Sequence, residues 1–158
     1  MNCGQGAFLF LNILVGIDGS PSSQRALEYA IELARAENAR LTLMAVAPPA
    51  ASFIMVAGVM PEAMREELDK WAQGQLADAV RTVPNELNAH TVQGRGHPGP
   101  EIVKELKRGN YDLIVLGSRG RGRTQEGLLG SVNGYVHFHA HVPLLTVPDE
   151  TKIKASRR

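Results

Sequence analysis

The chain has 158 residues, 44% hydrophobic and 21% charged, the composition of an ordinary globular domain and too apolar for wholesale disorder. Lys and Arg number 17 against 16 for Asp and Glu, which argues against a nucleic-acid-coating protein and its strong basic excess. The lone cysteine, Cys3, rules out internal disulfides and paired-thiol chemistry and points to a reducing, cytoplasmic setting.

Residues 1–17 carry no charge, but they lack the basic start and small-residue cleavage site of a signal peptide. Polar residues and glycines interrupt them well short of the ~20 apolar residues of a membrane span, so no membrane partner is expected. Residues 1–8 read as a flexible leader, 9–148 as one domain and 149–158 as a polar tail.

Leu9–Ile17 is a continuous apolar run that predicts a strand buried on both faces, ending at Asp18-Gly19-Ser20-Pro21. Ser20 suits a helix cap and Pro21 the first helical position. Leu27, Ala30, Ile31 and Ala34 then recur at helical spacing until Asn38. Leu41–Val46 predicts a second strand, stopped by Pro48-Pro49. Residues 50–60, with Phe53, Ile54, Met55, Val56 and Met60, form an apolar, aperiodic loop that fits a lid or a partner surface equally well. From Pro61 a long amphipathic helix presents Met64, Leu68, Trp71, Leu76, Ala79 and Val83 on one face. Ala89–Val92 predicts a short third strand. A helix opens near Pro100, carries Ile102, Val103 and Leu106, and stops at Gly109-Asn110. Leu113–Leu116 predicts a fourth strand, a glycine-rich loop runs from Gly117 to Leu129, a helix starts at Gly130, and Leu144–Val147 predicts the last strand. Strands alternating with helices make βαβ units, so the expected fold is a three-layer α/β/α sandwich on a five-stranded parallel sheet.

Ligands in such sheets sit beyond the carboxyl ends of strands, where the strand order reverses. Two features lie at strand ends: Asp18-Gly19-Ser20 after the first, and residues 117–131, GSRGRGRTQEGLLGS, after the fourth. Of the 16 glycines, six fall between Gly117 and Gly134. Glycines let backbone N–H groups approach an anion, and Gly130-Ser131 opens a helix whose N-terminus favours one, so the segment reads as a phosphate cradle.

The spacing Gly117-x2-Gly120-x9-Gly130-Ser131 matches the Gly-x2-Gly-x9-Gly-(Ser/Thr) motif of the universal stress protein family, in its ATP-binding branch. ILVGIDGSPSSQRALEYAIELA (13–34), DLIVLGSRGRG (112–122) and PLLTVP (143–148) resemble that family too, so that the likeness covers residues 12–148. The resemblance implies a Rossmann-like sheet of order 3-2-1-4-5, of the adenine nucleotide α-hydrolase-like type, with ATP and Mg2+ as ligands. It implies that Asp18, flanked by Gly16 and Ile17, bonds the ribose or adenine side and that Val46 meets adenine through its backbone. Gly117, Ser118, Arg119, Gly120, Gly130, Ser131, Val132 and Asn133 would surround the phosphates. Asn133 departs from the pattern: many ATP-binding members have Ser or Thr there, although an amide can also donate to phosphate. Gly134 weakens the helix that follows. The family commonly dimerises through its last strand, here the uncharged edge Pro143–Val147.

Other signals are weaker. Gly94-x-Gly96-x2-Gly99 matches the dinucleotide fingerprint, but Pro98 and Pro100 remove donors and no acid follows about 20 residues on. Arg119, Arg121 and Arg123 alternate through the loop, where they could reach phosphate or simply solubilise it. His137 and His141 would share a helical face, but no third ligand has matching spacing, so no metal site is expected. The leading expectation is an ATP-binding regulatory module. The alternatives are a slow ATP hydrolase or nucleotidyl transferase, for which Glu126 is the one acid in the loop, and a dimerisation module without nucleotide. The Gly-x4-Gly-Lys-(Ser/Thr) phosphate loop and the Ser-Gly-Gly-x-Asp-Ser pyrophosphatase loop are both absent.

Overall fold

The computed structural model describes residues 9–49, 62–120 and 130–148. Its elements are β1 (Asn12–Ile17), α1 (Pro21–Glu37), β2 (Arg40–Ala47), α2 (Glu62–Thr82), β3 (Ala89–Arg95), α3 (Pro98–Arg108), β4 (Leu113–Gly117), α4 (Ser131–His139) and β5 (Leu144–Val147). The five strands pair in parallel in the order β3-β2-β1-β4-β5. Chain order therefore runs outward from β1 to β3, then crosses to β4 on the other side. The reversal lies between β1 and β4, whose Ile13–Val15 and Leu113–Val115 are in register.

The period-2 pleat divides the core between the faces of this sheet. Ile13, Val15, Leu41, Leu43, Leu113 and Val115 pack with Leu27, Ile31 and Leu76 under α1 and α2. Leu14, Met44, Val46, Ile114 and Leu116 pack with Ile102, Leu106 and Val136 under α3 and α4. No described helix is long and apolar enough to cross a membrane.

The elements depart from the sequence expectation mainly at their ends. β1 starts at Asn12 rather than Leu9, because the chain before it runs past the sheet. Leu9 and Leu11 are 70% and 52% exposed, and the Asp112 carboxylate takes the N–H groups of Leu11 and Asn12 at 2.8 and 2.9 Å. β3 continues through Gln93-Gly94-Arg95, which pair with Ala45, Val46 and Ala47. It is an edge strand, half-exposed and polar, so it lacks an apolar run to mark its length. α3 begins at Pro98 rather than Pro100. The expected leader, apolar loop, Pro61 and polar tail lie outside the described residues.

The three glycines of the dinucleotide-like spacing each have a local steric reason. Gly94 is buried beside β2, where a Cβ would sit 3.0 Å from Met44 Cε and 3.2 Å from Val46 Cγ2. Gly96 turns the chain at a φ of +123°. At Gly99 a Cβ would meet the Tyr135 ring at 2.9 Å, so this glycine lets α3 approach α4.

Two glycines with opposite surroundings give a test. At Gly117 a Cβ would stand 2.6 Å from the Ser22 carbonyl carbon, whereas at Gly74, in exposed helix, nothing lies within 4 Å. Gly74→Ala is expected to stabilise the protein by about 0.5–1 kcal/mol through helix propensity. Gly117→Ala is expected to destabilise it by about 1–3 kcal/mol through overpacking. Chemical denaturation of the two variants beside the parent measures both signs.

Candidate functional site

The turn after β1 is built by hydrogen bonds of its own residues. Gly19 takes a φ of +75°, which swings the chain from strand into α1. Ser20 caps that helix, accepting from the Ser23 N–H, and Pro21 follows at the first helical position. Asp18 Oδ1 accepts from both the N–H and the hydroxyl of Ser20, at 2.9 and 2.6 Å. Asp18 therefore has a structural partner that the sequence did not suggest, while its Oδ2 lies 3.0 Å from where a Cβ on Gly120 would stand. The ends of β1 and β4 thus meet at Asp18 and Gly120.

Neighbouring elements hold the segment after β4. The Ser22 hydroxyl, in the first turn of α1, donates to the Arg119 carbonyl. The Ser118 N–H donates to the Val147 carbonyl at 2.7 Å, which ties the loop to β5. Asn133, 3% exposed, donates from Nδ2 to the Gly117 carbonyl at 2.8 Å and accepts from the Thr146 hydroxyl at 2.9 Å. The side chain expected to face phosphate thus braces β4, α4 and β5 against one another.

α4 starts at Ser131 with Gly130 as its cap. That cap supplies no side-chain hydrogen bond, and no acid occupies the first turn. Among the described residues, no side chain caps the first amides of α4 or the positive end of its dipole, a setting that favours an anion. Arg119 adds a guanidinium whose Nη2 is buried without a hydrogen-bond partner. A buried cationic donor left unmatched is costly, and an anion in the same space would satisfy it.

These groups surround a cleft of about 370 Å³ over the carboxyl ends of β1, β2 and β4, a volume within the range of small-molecule sites. Of the residues singled out from the sequence, Gly16, Ile17, Asp18, Val46, Gly117, Arg119, Gly120, Gly130, Ser131, Val132 and Asn133 all line it. Ser118 does not, because its backbone is turned to Val147 and Gly130. Arg121, Arg123 and Glu126 lie outside the described residues.

Met44, Trp71 and Ile102 line the cleft as well and carried no motif. Met44 could have been inferred, since it stands two residues before Val46 on the same face of β2. Trp71 and Ile102 arrive on separate helices, and only the tertiary packing brings them here. The histidine series falls apart: α4 ends at His139, so His137 and His141 do not share a helix. Among the described residues no three His, Cys, Asp or Glu side chains group to hold a metal.

A parallel sheet wound both ways from its centre, with a cleft of this make-up at the reversal, defines a Rossmann-like α/β protein. A model of the universal stress protein family matches residues 10–148, and the chain belongs to that family. It is 31% identical to universal stress protein YxiE of Bacillus subtilis over 147 residues, 88% of this chain and 99% of that protein. It is 28% identical to Rv1996 of Mycobacterium tuberculosis, covering 90% of this chain but 49% of that protein, so it spans about half the length of such relatives. Among solved structures, UspA from Lactobacillus plantarum superposes with a TM-score of 0.70 at 27% identity, covering 90% of this chain and 99% of that one. A universal stress protein in complex with cAMP superposes at 0.57 with 26% identity, covering 88% and 97%.

The bracing role of Asn133 is testable apart from any ligand. Asn133→Ala strands the Gly117 carbonyl and the Thr146 hydroxyl and is expected to cost about 1–3 kcal/mol in urea unfolding. Ser131→Ala, at an exposed neighbouring position, is expected to change stability by less than about 0.5 kcal/mol.

Proposed function

We propose that the protein is a regulatory module that binds an adenine nucleotide in the cleft between β1 and β4, with ATP and Mg2+ as the principal ligand. The observation that carries this reading is the convergence of one acidic and one basic group at the strand-order reversal. Asp18 stands at the end of β1, and Arg119, whose Nη2 is buried without a hydrogen-bond partner, lines the same cleft as the start of α4. Phosphates would take the Arg119 donor, the Ser131 hydroxyl and the first amides of α4. The second Asp18 oxygen, Oδ2, would accept from a ribose hydroxyl, and its charge also suits a cation carried in with the phosphates. Binding of cAMP by a relative of the same fold supports an adenine ligand.

The module would act in the cytoplasm as a homodimer. Among the described residues β5 pairs only with β4 and is the edge strand of the sheet. A short uncharged edge of this kind suits pairing with a second copy. Light scattering is expected to give twice the chain mass at micromolar concentration, and a monomer there would exclude the dimer.

Calorimetric titration tests the ligand. ATP is expected to bind the parent protein. Asp18→Asn keeps the acceptor that holds Ser20 but removes the charge, and it should weaken ATP about 10- to 100-fold, as for loss of a hydrogen bond to a charged group. Arg119→Ala should weaken ATP by a similar factor while leaving adenosine unaffected. Equal loss for ATP and adenosine in Arg119→Ala would remove Arg119 from the phosphate end, and an absence of any ATP binding would refute the reading as a whole.

A further inference from the structure

The cleft has two unlike walls. Met44, Val46, Ile102 and Leu116 all belong to the core beneath α3 and α4 and present one aliphatic side. Trp71 packs against the opposite core, beneath α1 and α2, and lines the cleft from that side. The course of α2 explains its reach. One turn beyond Trp71, Gln75 covers Gly19, where a Cβ would come within 2.9 Å of its Cδ. That face of α2 therefore lies along the turn that carries Asp18. The cleft is thus lined by an indole from one side of the sheet plane and by aliphatic side chains from the other, with Asp18 and Arg119 in the same lining.

We infer that Trp71 is the platform for the base of the bound nucleotide, with the heterocycle lying between the indole and the Val46–Ile102 wall. This inference rests on the nucleotide reading above and adds to it the residue that sets base affinity. Stacking on an indole needs no hydrogen bond from the base edge, because every base has a π face. Trp71 therefore distinguishes a ligand with a flat aromatic group from one without, and purines gain most because they overlap it most. Base stacking on an aromatic side chain is worth about 5- to 150-fold in affinity. Trp71 is also the chain's single tryptophan, so its emission reports on this wall alone.

The test uses calorimetry with AMP and with ribose 5-phosphate on the parent, Trp71→Leu and Trp71→Phe, together with tryptophan fluorescence of the parent. AMP is expected to bind Trp71→Leu about 5- to 150-fold more weakly than the parent. Trp71→Phe, which keeps a π face, should recover most of that loss. Ribose 5-phosphate should bind all three proteins alike, and AMP but not ribose 5-phosphate should change the parent's emission. Unchanged AMP affinity in Trp71→Leu overturns the platform and leaves the nucleotide reading standing. A parallel loss for ribose 5-phosphate also overturns it, since a wall that only supports the fold would weaken both ligands. If Trp71→Leu does not fold, the parent's fluorescence decides: unchanged emission at saturating AMP overturns the platform. A parent that binds neither AMP nor ATP refutes the nucleotide reading and the platform together.

Discussion

The carbonyl of Arg119 is where the two halves of the sheet are fastened above their carboxyl ends. It accepts the hydroxyl of Ser22, from the first turn of α1, while Gly117 lies against the backbone of Ser22 and Ser23 with no room for a Cβ. β1 and β4 are neighbours at the reversal, and α1 packs across both of them. This fastening, with the Ser20 hydroxyl on the same carbonyl, holds the loop after β4 against the turn after β1. Asp18, Gly120 and Arg119 share one cleft because the start of α1 is held against the end of β4.

A second brace works from the other side. Asn133 is a buried amide with both ends engaged, joining the last residue of β4 to the first turn of α4 and to the edge strand β5. β5 has only four residues, and of these only Val147 is buried. So short a strand needs polar ties as well as apolar contact to stay docked. The same amide keeps the first turn of α4 at the cleft. The scaffold thus uses Asn133 for position and leaves Arg119 Nη2 without a hydrogen-bond partner, and that asymmetry separates support from binding surface.

Much of this was legible in the sequence because the central strands and the first helix follow strong local rules. β1, β2 and β4 are apolar runs stopped by turn residues, and Ser20-Pro21 opens α1 in the structure with the cap geometry its chemistry dictates. The edge strand β3 was underestimated, since half-exposed polar residues leave no pattern to follow. The walls of the cleft were missed for another reason: Trp71 and Ile102 look like ordinary amphipathic-helix positions, and only the packing of α2 and α3 brings them to one place. Asn133 misled in the opposite direction. Its amide suits a phosphate equally well, and nothing local reveals that Thr146 and the Gly117 carbonyl take it first. The fingerprint-like glycines at 94, 96 and 99 show that a spacing can arise from three unrelated steric needs.

Among the described residues, the hydrogen bonds that brace the end of β4 are neutral: a hydroxyl to a carbonyl at Arg119, an amide to a carbonyl at Gly117, a hydroxyl to an amide at Asn133, and a peptide N–H to a carbonyl at Val147. The residues lining the cleft include instead a carboxylate, an arginine and the start of a helix with its dipole. Dissolved ions act on the second set where the cleft opens to solvent, with a Debye length of about 8 Å at physiological ionic strength, and far less on the first. Raising the salt concentration therefore dims the field inside the cleft while its walls keep their places, so frame and field respond separately to the ionic medium around the protein.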